Sequence, residues 1–114
     1  MLVSPADLVA VAKATITECS VTDVEQCLGA GTLLIDIREA DEFRKGHITK
    51  LVESAKTDQN LANDDQPIVL YCGTGGRSAL AAQCLESLGY KNVSSMSGGI
   101  VAWAAAHLPL DFPT

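Results

Sequence analysis

Residues 67–77, Pro67-Ile-Val-Leu-Tyr71-Cys72-Gly-Thr-Gly-Gly-Arg77, decide the fold. The run from Pro67 to Tyr71 is almost entirely apolar, as in a strand that is buried on both faces of a parallel sheet. Three glycines follow Cys72, and from Ser78 to Leu88 apolar residues recur at helical spacing. A buried strand that leads through a glycine-rich turn into a helix is one βα unit, which predicts an α/β protein.

The same alternation of strands and helices extends along the rest of the chain. Two further strands are predicted, at 33–37 and 93–96. Helices are predicted at about 5–14, from a capping box Thr22-Asp-Val-Glu25 onward, at 39–45, at 78–88 and at about 100–107. Strands separated by helices favour a mainly parallel sheet. We expect a single domain over 1–114.

Composition narrows the class of protein. Of the 114 residues, 47% are hydrophobic and 19% are charged, as in ordinary globular domains. The net charge of -6 argues against nucleic-acid binding through a basic surface. No apolar run approaches the roughly 18 residues that span a membrane, and the N-terminus lacks the basic start of a signal peptide. We therefore expect a cytoplasmic protein with no membrane contact.

The four cysteines are widely spaced and predict reduced thiols rather than disulfides; they are Cys19, Cys27, Cys72 and Cys84. No C-x-x-C pair is present, and the two histidines do not make a zinc site. The pattern thus calls for no metal. Cys27 and Cys84 fall on apolar helix faces and are predicted to lie in the core. Cys19 is left open as a second redox thiol.

Cys72 is the candidate nucleophile because it follows the buried strand directly. The carboxyl ends of parallel strands are where α/β proteins bind ligands. Glycines in the loop let several backbone N–H groups point at one centre, and the N-terminus of the next helix adds its positive dipole end. These features favour a thiolate and lower its pKa below the usual value of roughly 8.5. The alternative is that Cys72 is only a buried structural cysteine. The three glycines and Arg77 that follow it favour the nucleophile instead.

Three motifs in this order resemble the rhodanese family. The active loop resembles Cys72-Gly-Thr-Gly-Gly-Arg77-Ser78. The upstream and closing signatures resemble Leu34-Ile-Asp36-Ile-Arg38-Glu39, Glu42-Phe-Arg-Lys-Gly46-His47-Ile48 and Gly98-Gly99-Ile-Val-Ala-Trp103. The resemblance implies a central parallel sheet with helices on both faces. It also implies transfer of sulfane sulfur through a Cys72 persulfide, without a metal or an organic cofactor.

The resemblance assigns roles to further residues. A small anionic sulfur donor such as thiosulfate, and then the persulfide, would be held by the loop, which consists of Gly73, Thr74, Gly75, Gly76, Arg77 and Ser78. The acceptor would be cyanide or a thiol, either on a small molecule or on a protein. Arg77 either adds positive charge to the pocket or pairs with an acid such as Asp36. Asp36 and Arg38 are supporting residues, interpreted as an ion pair that braces the βα turn rather than as catalysts.

Other functions compete with sulfur transfer as interpretations of this sequence. A regulatory rhodanese module that only binds a partner is disfavoured by the presence of Cys72, whereas a persulfide carrier for one partner is compatible with it. A phosphatase or an arsenate reductase is disfavoured by loop length. The related phosphatases place one more residue between cysteine and arginine, so the loop here is expected to suit a single sulfur better than a phosphate group.

The segment between His47 and Cys72 is short for this family. Only 24 residues separate the two, which leaves little room for a strand, a helix and two connections. Either the sheet is one strand smaller, with Leu51-Val52 making a token pairing, or residues are missing between Thr49 and Lys50. The second hypothesis is preferred, since omitting a strand would expose an unpaired sheet edge.

Overall fold

The computed structural model describes residues 4–27, 31–48 and 65–112, and within them strands and helices alternate. The helices are α1 Pro5–Thr15, α2 Val21–Cys27, α3 Ala40–Arg44, α4 Gly76–Ser87 and α5 Gly99–Ala105. The strands are β1 Thr17–Cys19, β2 Leu33–Asp36, β3 Ile68–Tyr71 and β4 Val93–Met96. None of the helices in these ranges is long and apolar enough to cross a membrane.

The strands form one sheet in the order β1-β4-β3-β2, and every pairing is parallel. The central strand β3 is buried along its whole length, because β2 and β4 flank it and side chains cover both of its faces. Since all strands point the same way, their carboxyl ends lie at one edge of the sheet. Cys72 follows β3 at that edge, where ligands bind in α/β proteins.

Successive side chains of the strands enter two separate cores, one on each face of the sheet. One core contains Val24 of α2 and Trp103 of α5, together with Leu34, Val69, Tyr71 and Met96. The other contains Ala82 of α4, together with Leu33, Ile68, Leu70 and Val93. Because side chains alternate along a strand, an uninterrupted apolar run supplies both cores at once. The prediction of an α/β fold with a parallel sheet and helices on both faces is confirmed.

The sequence prediction missed strand β1. Thr17–Cys19 pairs in parallel with Ser94–Met96 at the edge of the sheet. The strand has only three residues, of which Thr17 and Glu18 are exposed, so it carries no apolar run. It is a strand because β4 offers it an unpaired edge, and β4 is distant from it in the sequence.

The start of α2 was predicted wrongly. Its capping box is formed by Ser20 and Asp23, not by Thr22 and Glu25: the Asp23 N–H donates to Ser20 Oγ at 3.1 Å, and the Ser20 N–H donates to Asp23 Oδ2 at 3.3 Å. Both pairs have the same spacing, but β1 ends at Cys19. The chain must therefore turn at once, and the earlier pair is the one placed at the turn.

Helix α4 begins two residues earlier than predicted, and a different face of it is buried. Its buried residues are Ser78, Ala79 and Ala82, whereas Cys84 is exposed and Leu88 is 74% exposed. Ala81 and Leu85 are only partly buried against the sheet. The small residues face inward because the Cys72 loop brings the first turn of the helix close to β3 and β4. The prediction that Cys84 lies in the core is therefore wrong.

The hypotheses about the junction between Thr49 and Lys50, and about a pairing of Leu51-Val52, fall outside the described residues. Within the described ranges, β2 pairs with β3 on one side and is the last strand of the sheet. The segment after Gly46 begins with an isolated antiparallel bridge between His47 and Asp111. Ile48 is fully buried next to it.

Candidate active site

Cys72 lies directly after β3, with its sulfur turned into the loop that follows. The residue is 1% exposed. Its Sγ accepts a hydrogen bond from the Gly75 N–H at 3.1 Å and one from the Ser78 N–H at 3.4 Å. The Ser78 hydroxyl lies 3.5 Å from the same sulfur. Donors from the turn and from the first turn of α4 thus converge on one atom.

These donors decide the charge state of the sulfur. Burial alone raises the pKa of Cys72, because it removes water from the thiolate. The hydrogen bonds from the Ser78 hydroxyl and from the N–H groups of Ser78, Gly75 and Thr74 act in the opposite direction and outweigh it. The pKa of Cys72 therefore lies below its ordinary value, which favours the nucleophilic thiolate at neutral pH.

The loop is held from behind by the start of α5. The Ile100 N–H donates to the Cys72 carbonyl at 2.9 Å, and the Val101 N–H donates to the Gly73 carbonyl at 3.1 Å. With these carbonyls fixed toward α5, the following N–H groups are left to face the sulfur. The close approach depends on Gly99, which has φ +60°: a side chain there would collide with both carbonyl groups.

Gly75 is the residue that turns the loop into the helix. It precedes α4 with φ +105°, a backbone conformation that side chains rarely allow. A Cβ on Gly75 would also lie 3.3 Å from the Gly98 N atom and so press on the connection to α5. The left-handed turn is what brings the Gly75 and Ser78 N–H groups round to Cys72.

The hydroxyl of Ser78 continues the hydrogen bonding into the core. Ser78 and Ser95 are both fully buried, and their Oγ atoms lie 2.7 Å apart. Ser78 Oγ also lies 3.3 Å from the Gly75 carbonyl, to which it can donate. Polar groups of β4 and α4 therefore support the sulfur from the side of the sheet.

Arg77 does not pair with Asp36, which was one of its two predicted roles. Its guanidinium makes a bidentate ion pair with Glu42 of α3, with distances of 3.0 Å to Oε1 and 3.1 Å to Oε2. The Arg77 side chain is 48% exposed and that of Glu42 is 34% exposed. The hydrogen bond from Arg77 is the main reason that the pKa of Glu42 falls to about 2. The positive charge next to the loop is thus largely balanced in the free protein.

Asp36 pairs with Arg38 instead, in a nearly buried ion pair. The Nη2 atom of Arg38 lies 2.7 Å from Asp36 Oδ2, and the two side chains are 6% and 2% exposed. Arg38 also donates to the carbonyls of Glu42 and Gly46. These contacts tie the end of β2 to the middle of the short helix α3 and to the turn that follows it, which is the geometry of a structural brace. Neither side chain has a hydrogen bond to the Cys72 loop among those of the described residues.

The sequence profile of the rhodanese-like domain family matches residues 20–106, a range that contains Cys72 and every residue described above as contacting its loop. The chain belongs to this family. It is 39% identical over 85 residues to the thiosulfate sulfurtransferase GlpE of Haemophilus influenzae, which covers 71% of this chain and 81% of that protein. Relatives of this name support a general sulfurtransferase role for the rhodanese-like chain.

Solved structures give two further similarities. The polysulfide-sulfur transferase of Wolinella succinogenes has a TM-score of 0.74 at 27% identity, covering 93% of this chain and 85% of that one. A Rhodopseudomonas palustris protein, described as of unknown function and as a possible tyrosine phosphatase, has a TM-score of 0.81 at 25% identity. That similarity covers 97% of this chain and 96% of the other. The second description makes the phosphatase alternative worth a direct test.

The rhodanese loop predicted from sequence is brought together around Cys72, but its members do different things. Gly75 and Ser78 donate to the sulfur, whereas Gly76 and Arg77 form the first turn of α4. Thr74 is exposed and contributes through its backbone. Gly73 accepts from α5 through its carbonyl. The structure describes the free loop, so the expectation that the backbone N–H groups of residues 73–78 hold a bound donor or persulfide stays a prediction.

Sequence reasoning missed three groups that shape this rhodanese site. Glu42 and Gly99 stand inside motifs that were recognised, but nothing in the motifs said that one pairs with Arg77 and the other receives the Cys72 loop. Ser95 is one of the two serines of β4, and it is the one that is fully buried. A buried hydroxyl needs a hydrogen-bond partner, which is the signal that could have pointed to it.

The remaining cysteines lie outside the loop. Cys19 is half-buried, and burial is the main reason that its pKa rises to about 11, so it is a poor nucleophile at neutral pH. Cys27 is half-buried rather than in the core, which corrects its prediction. Trp103 is fully buried, and its Nε1–H donates to the Pro109 carbonyl. His47 Nδ1 lies 3.4 Å from the Phe43 carbonyl oxygen.

Proposed function

We propose that this rhodanese-like chain is a sulfurtransferase that carries sulfane sulfur as a persulfide on Cys72. The observation that supports it most is the convergence of the Gly75 N–H, the Ser78 N–H and the Ser78 hydroxyl on one sulfur within 3.5 Å. Such donors stabilise a thiolate before reaction and the negative charge of a persulfide afterwards. Similarity to thiosulfate sulfurtransferases supports the same reaction class.

The reaction has two balanced steps. The Cys72 thiolate attacks the outer sulfur of a donor such as thiosulfate, the S–S bond of the donor breaks, and sulfite leaves with the bonding electron pair. An acceptor thiolate, or cyanide, then attacks the outer sulfur of the persulfide and releases the Cys72 thiolate. Sulfur moves between nucleophiles at each step, so the cycle needs no external oxidant, metal or organic cofactor.

Arg77 has a secondary role in this proposal. In the free protein it is paired with Glu42. An arriving dianion such as thiosulfate would share the exposed guanidinium with that carboxylate. The loop is therefore only weakly attractive to small anions, and a thiol acceptor that arrives on a protein is as compatible with it as a small molecule.

We place the protein in a reducing compartment, the cytoplasm, since the cysteines Cys19, Cys27, Cys72 and Cys84 are free thiols.

Intact-protein mass spectrometry after thiosulfate treatment tests the proposal. The wild type should gain one sulfur, about 32 Da, as persulfidation of one thiol requires. Subsequent cyanide should remove it. Cys72→Ser should gain nothing, whereas Cys84→Ala, which removes an exposed thiol of the same chain, should behave like the wild type. Sulfur uptake that persists in Cys72→Ser would refute the assignment.

The phosphatase alternative is tested with the same protein preparations. Only four residues separate Cys72 from Arg77, one fewer than in the related phosphatases, so the loop should suit a single sulfur on Cys72 better than a phosphate group. Hydrolysis of an aryl phosphate should therefore be negligible beside sulfur transfer. If the wild type hydrolyses the phosphate ester faster than it uses thiosulfate or an organic persulfide, the proposed function is wrong.

A further inference from the structure

Ser95 is a buried hydroxyl on β4 that connects the sheet to the active sulfur. Ser78 and Ser95 are the buried polar residues of the described part of the chain. Ser95 Oγ lies 2.7 Å from Ser78 Oγ, which in turn lies 3.5 Å from Cys72 Sγ. The three side chains form a continuous series of hydrogen-bonding groups that starts in β4 and ends at the nucleophile.

The direction of these hydrogen bonds follows from the acceptors that each proton can reach. Ser78 can donate to the Gly75 carbonyl or to Cys72 Sγ. Ser95 Oγ, among the hydrogen bonds of residues 4–27, 31–48 and 65–112, has Ser78 Oγ as its partner. If Ser78 donated to Ser95, the proton of Ser95 would be buried without an acceptor, which is unfavourable. Ser95 is therefore the donor and Ser78 the acceptor.

We propose that Ser95 is a positioning residue for sulfur transfer, whose hydroxyl directs the proton of Ser78 toward Cys72 Sγ. Ser95 occupies a lone pair of Ser78 Oγ and so keeps the Ser78 proton for the loop. It also polarises that hydroxyl, because hydrogen bonds in series strengthen one another. A bond to a charged sulfur gains more from this than a bond to the neutral Gly75 carbonyl.

The inference rests on the proposed function, because only a thiolate at Cys72 gives the series its chemical role. It adds a residue outside the loop to that function. The Gly75 and Ser78 N–H groups are fixed by the backbone, but a hydroxyl rotates. Ser95 is thus the group that makes the adjustable donor as well directed as the fixed ones.

The test is the pH dependence of iodoacetamide alkylation, followed at Cys72 by peptide mass spectrometry. Ser78→Ala should raise the pKa of Cys72 by about half a unit to one unit, the effect of losing one hydrogen bond to the thiolate. Ser95→Ala should raise it by a smaller amount. In the Ser78→Ala background, Ser95→Ala should add nothing, because the two side chains act on the sulfur only together.

Matched controls separate positioning from packing. Ser94→Ala changes the neighbouring residue of β4, which lines a cavity with Cys19 on the other face of the sheet, and should leave the Cys72 titration unchanged. The charged groups at the loop, Arg77 of α4 and its partner Glu42 of α3, are not substituted in any of these variants. Should Ser95→Ala fail to fold, Ser95→Cys keeps the volume with a much weaker donor and should give the same upward shift.

Two results overturn the proposal: an unchanged Cys72 titration in Ser95→Ala, or a Ser95→Ala effect of equal size with and without Ser78. The titration needs no sulfur donor, so it is independent of the activity assay. The expected shifts in a protein that forms no persulfide would support the Ser95 assignment and refute the proposed function. An active enzyme without the shifts would refute the Ser95 assignment alone.

Discussion

Replacing Gly99 with alanine tests how the loop is held behind Cys72. Gly99 has φ +60°, and a Cβ there would overlap the carbonyl groups of both Cys72 and Gly73. An ordinary carbon–oxygen or carbon–carbon contact needs about 3.5 Å, so α5 or the loop must move by roughly 1 Å. Either movement breaks the hydrogen bonds from Ile100 and Val101 to those carbonyls.

The size of the effect can be estimated from these contacts. The left-handed backbone costs an alanine about 1–2 kcal/mol. Each of the two hydrogen bonds that are lost contributes about 1 kcal/mol. The sum for Gly99→Ala, about 3–4 kcal/mol, is a large part of the roughly 5–15 kcal/mol that stabilises a typical domain. A displacement of about 1 Å at a reacting group also lowers the rate about 100-fold.

Urea unfolding and the rate of persulfide formation measure the two parts of this prediction. The rates are compared without urea, at a temperature at which circular dichroism shows that the variant is folded. Gly89→Ala is the matched control: it has φ +104° but nothing within 4 Å of its Cβ position, so it carries the backbone cost without the collision. We expect Gly89→Ala to lose about 1–2 kcal/mol of stability and to keep its rate within about twofold.

The comparison of Gly99→Ala with Gly89→Ala shows whether the Cys72 loop depends on its close approach to α5. If Gly99→Ala is no less stable than Gly89→Ala and forms the persulfide at the wild-type rate, the loop does not depend on its close approach to α5. Equal stability losses with a rate loss confined to Gly99→Ala would still support the positioning of the loop. It would mean that the structure relaxes around the new side chain at the expense of the Cys72 geometry.

Three further predictions concern the ion pair of Arg77, the pH dependence of the rate and the exposed thiol of Cys84. Glu42→Gln should free Arg77 for the anionic donor and raise kcat/KM for thiosulfate about two- to fivefold at low salt. Added salt should abolish this increase, because it screens exposed charges. An unchanged or lower kcat/KM would contradict the neutralising role of Glu42. Pairing lowers the pKa of Glu42 to about 2, so the ion pair is complete above the ordinary carboxyl pKa and is lost only as the pH falls toward 2. The rate of persulfide formation by the wild type should therefore rise only once between pH 5 and 9, as Cys72, whose pKa is depressed, loses its proton. Cys84→Ala should change stability by less than about 0.5 kcal/mol, as expected at an exposed site, and leave sulfur transfer intact; a larger loss in urea unfolding would mean that this helix face is covered.

The sequence by itself determined the βα unit around Cys72. The apolar run before Cys72 is typical of a strand buried on both faces, and the glycines that follow permit the left-handed turn at Gly75. Both signals are local: hydrophobic pattern and backbone freedom act within a few residues. That is why β3, the loop and the parallel sheet could be predicted, together with the reaction class that the motifs imply.

Only the tertiary structure decided which side chains surround the sulfur. Glu42 reaches Arg77 across 35 positions of sequence, and Ser95 reaches Ser78 across 17. The pair of Asp36 and Arg38, two residues apart, could be predicted locally, whereas the partner of Arg77 could not. The choice among chemically equivalent partners depends on distance and direction in space, which no local pattern encodes.

The same distinction explains the errors at the elements themselves. Helical periodicity placed Cys84 on the inner face of α4, whereas the contact of α4 with the loop and β4 turned Ala82 inward. Strand β1 exists because β4 has an open edge to pair with, although its own residues are largely exposed. A sequence fixes what each segment can form; the free energy of packing against the rest of the chain selects the face that is buried and the neighbours that the Cys72 sulfur meets.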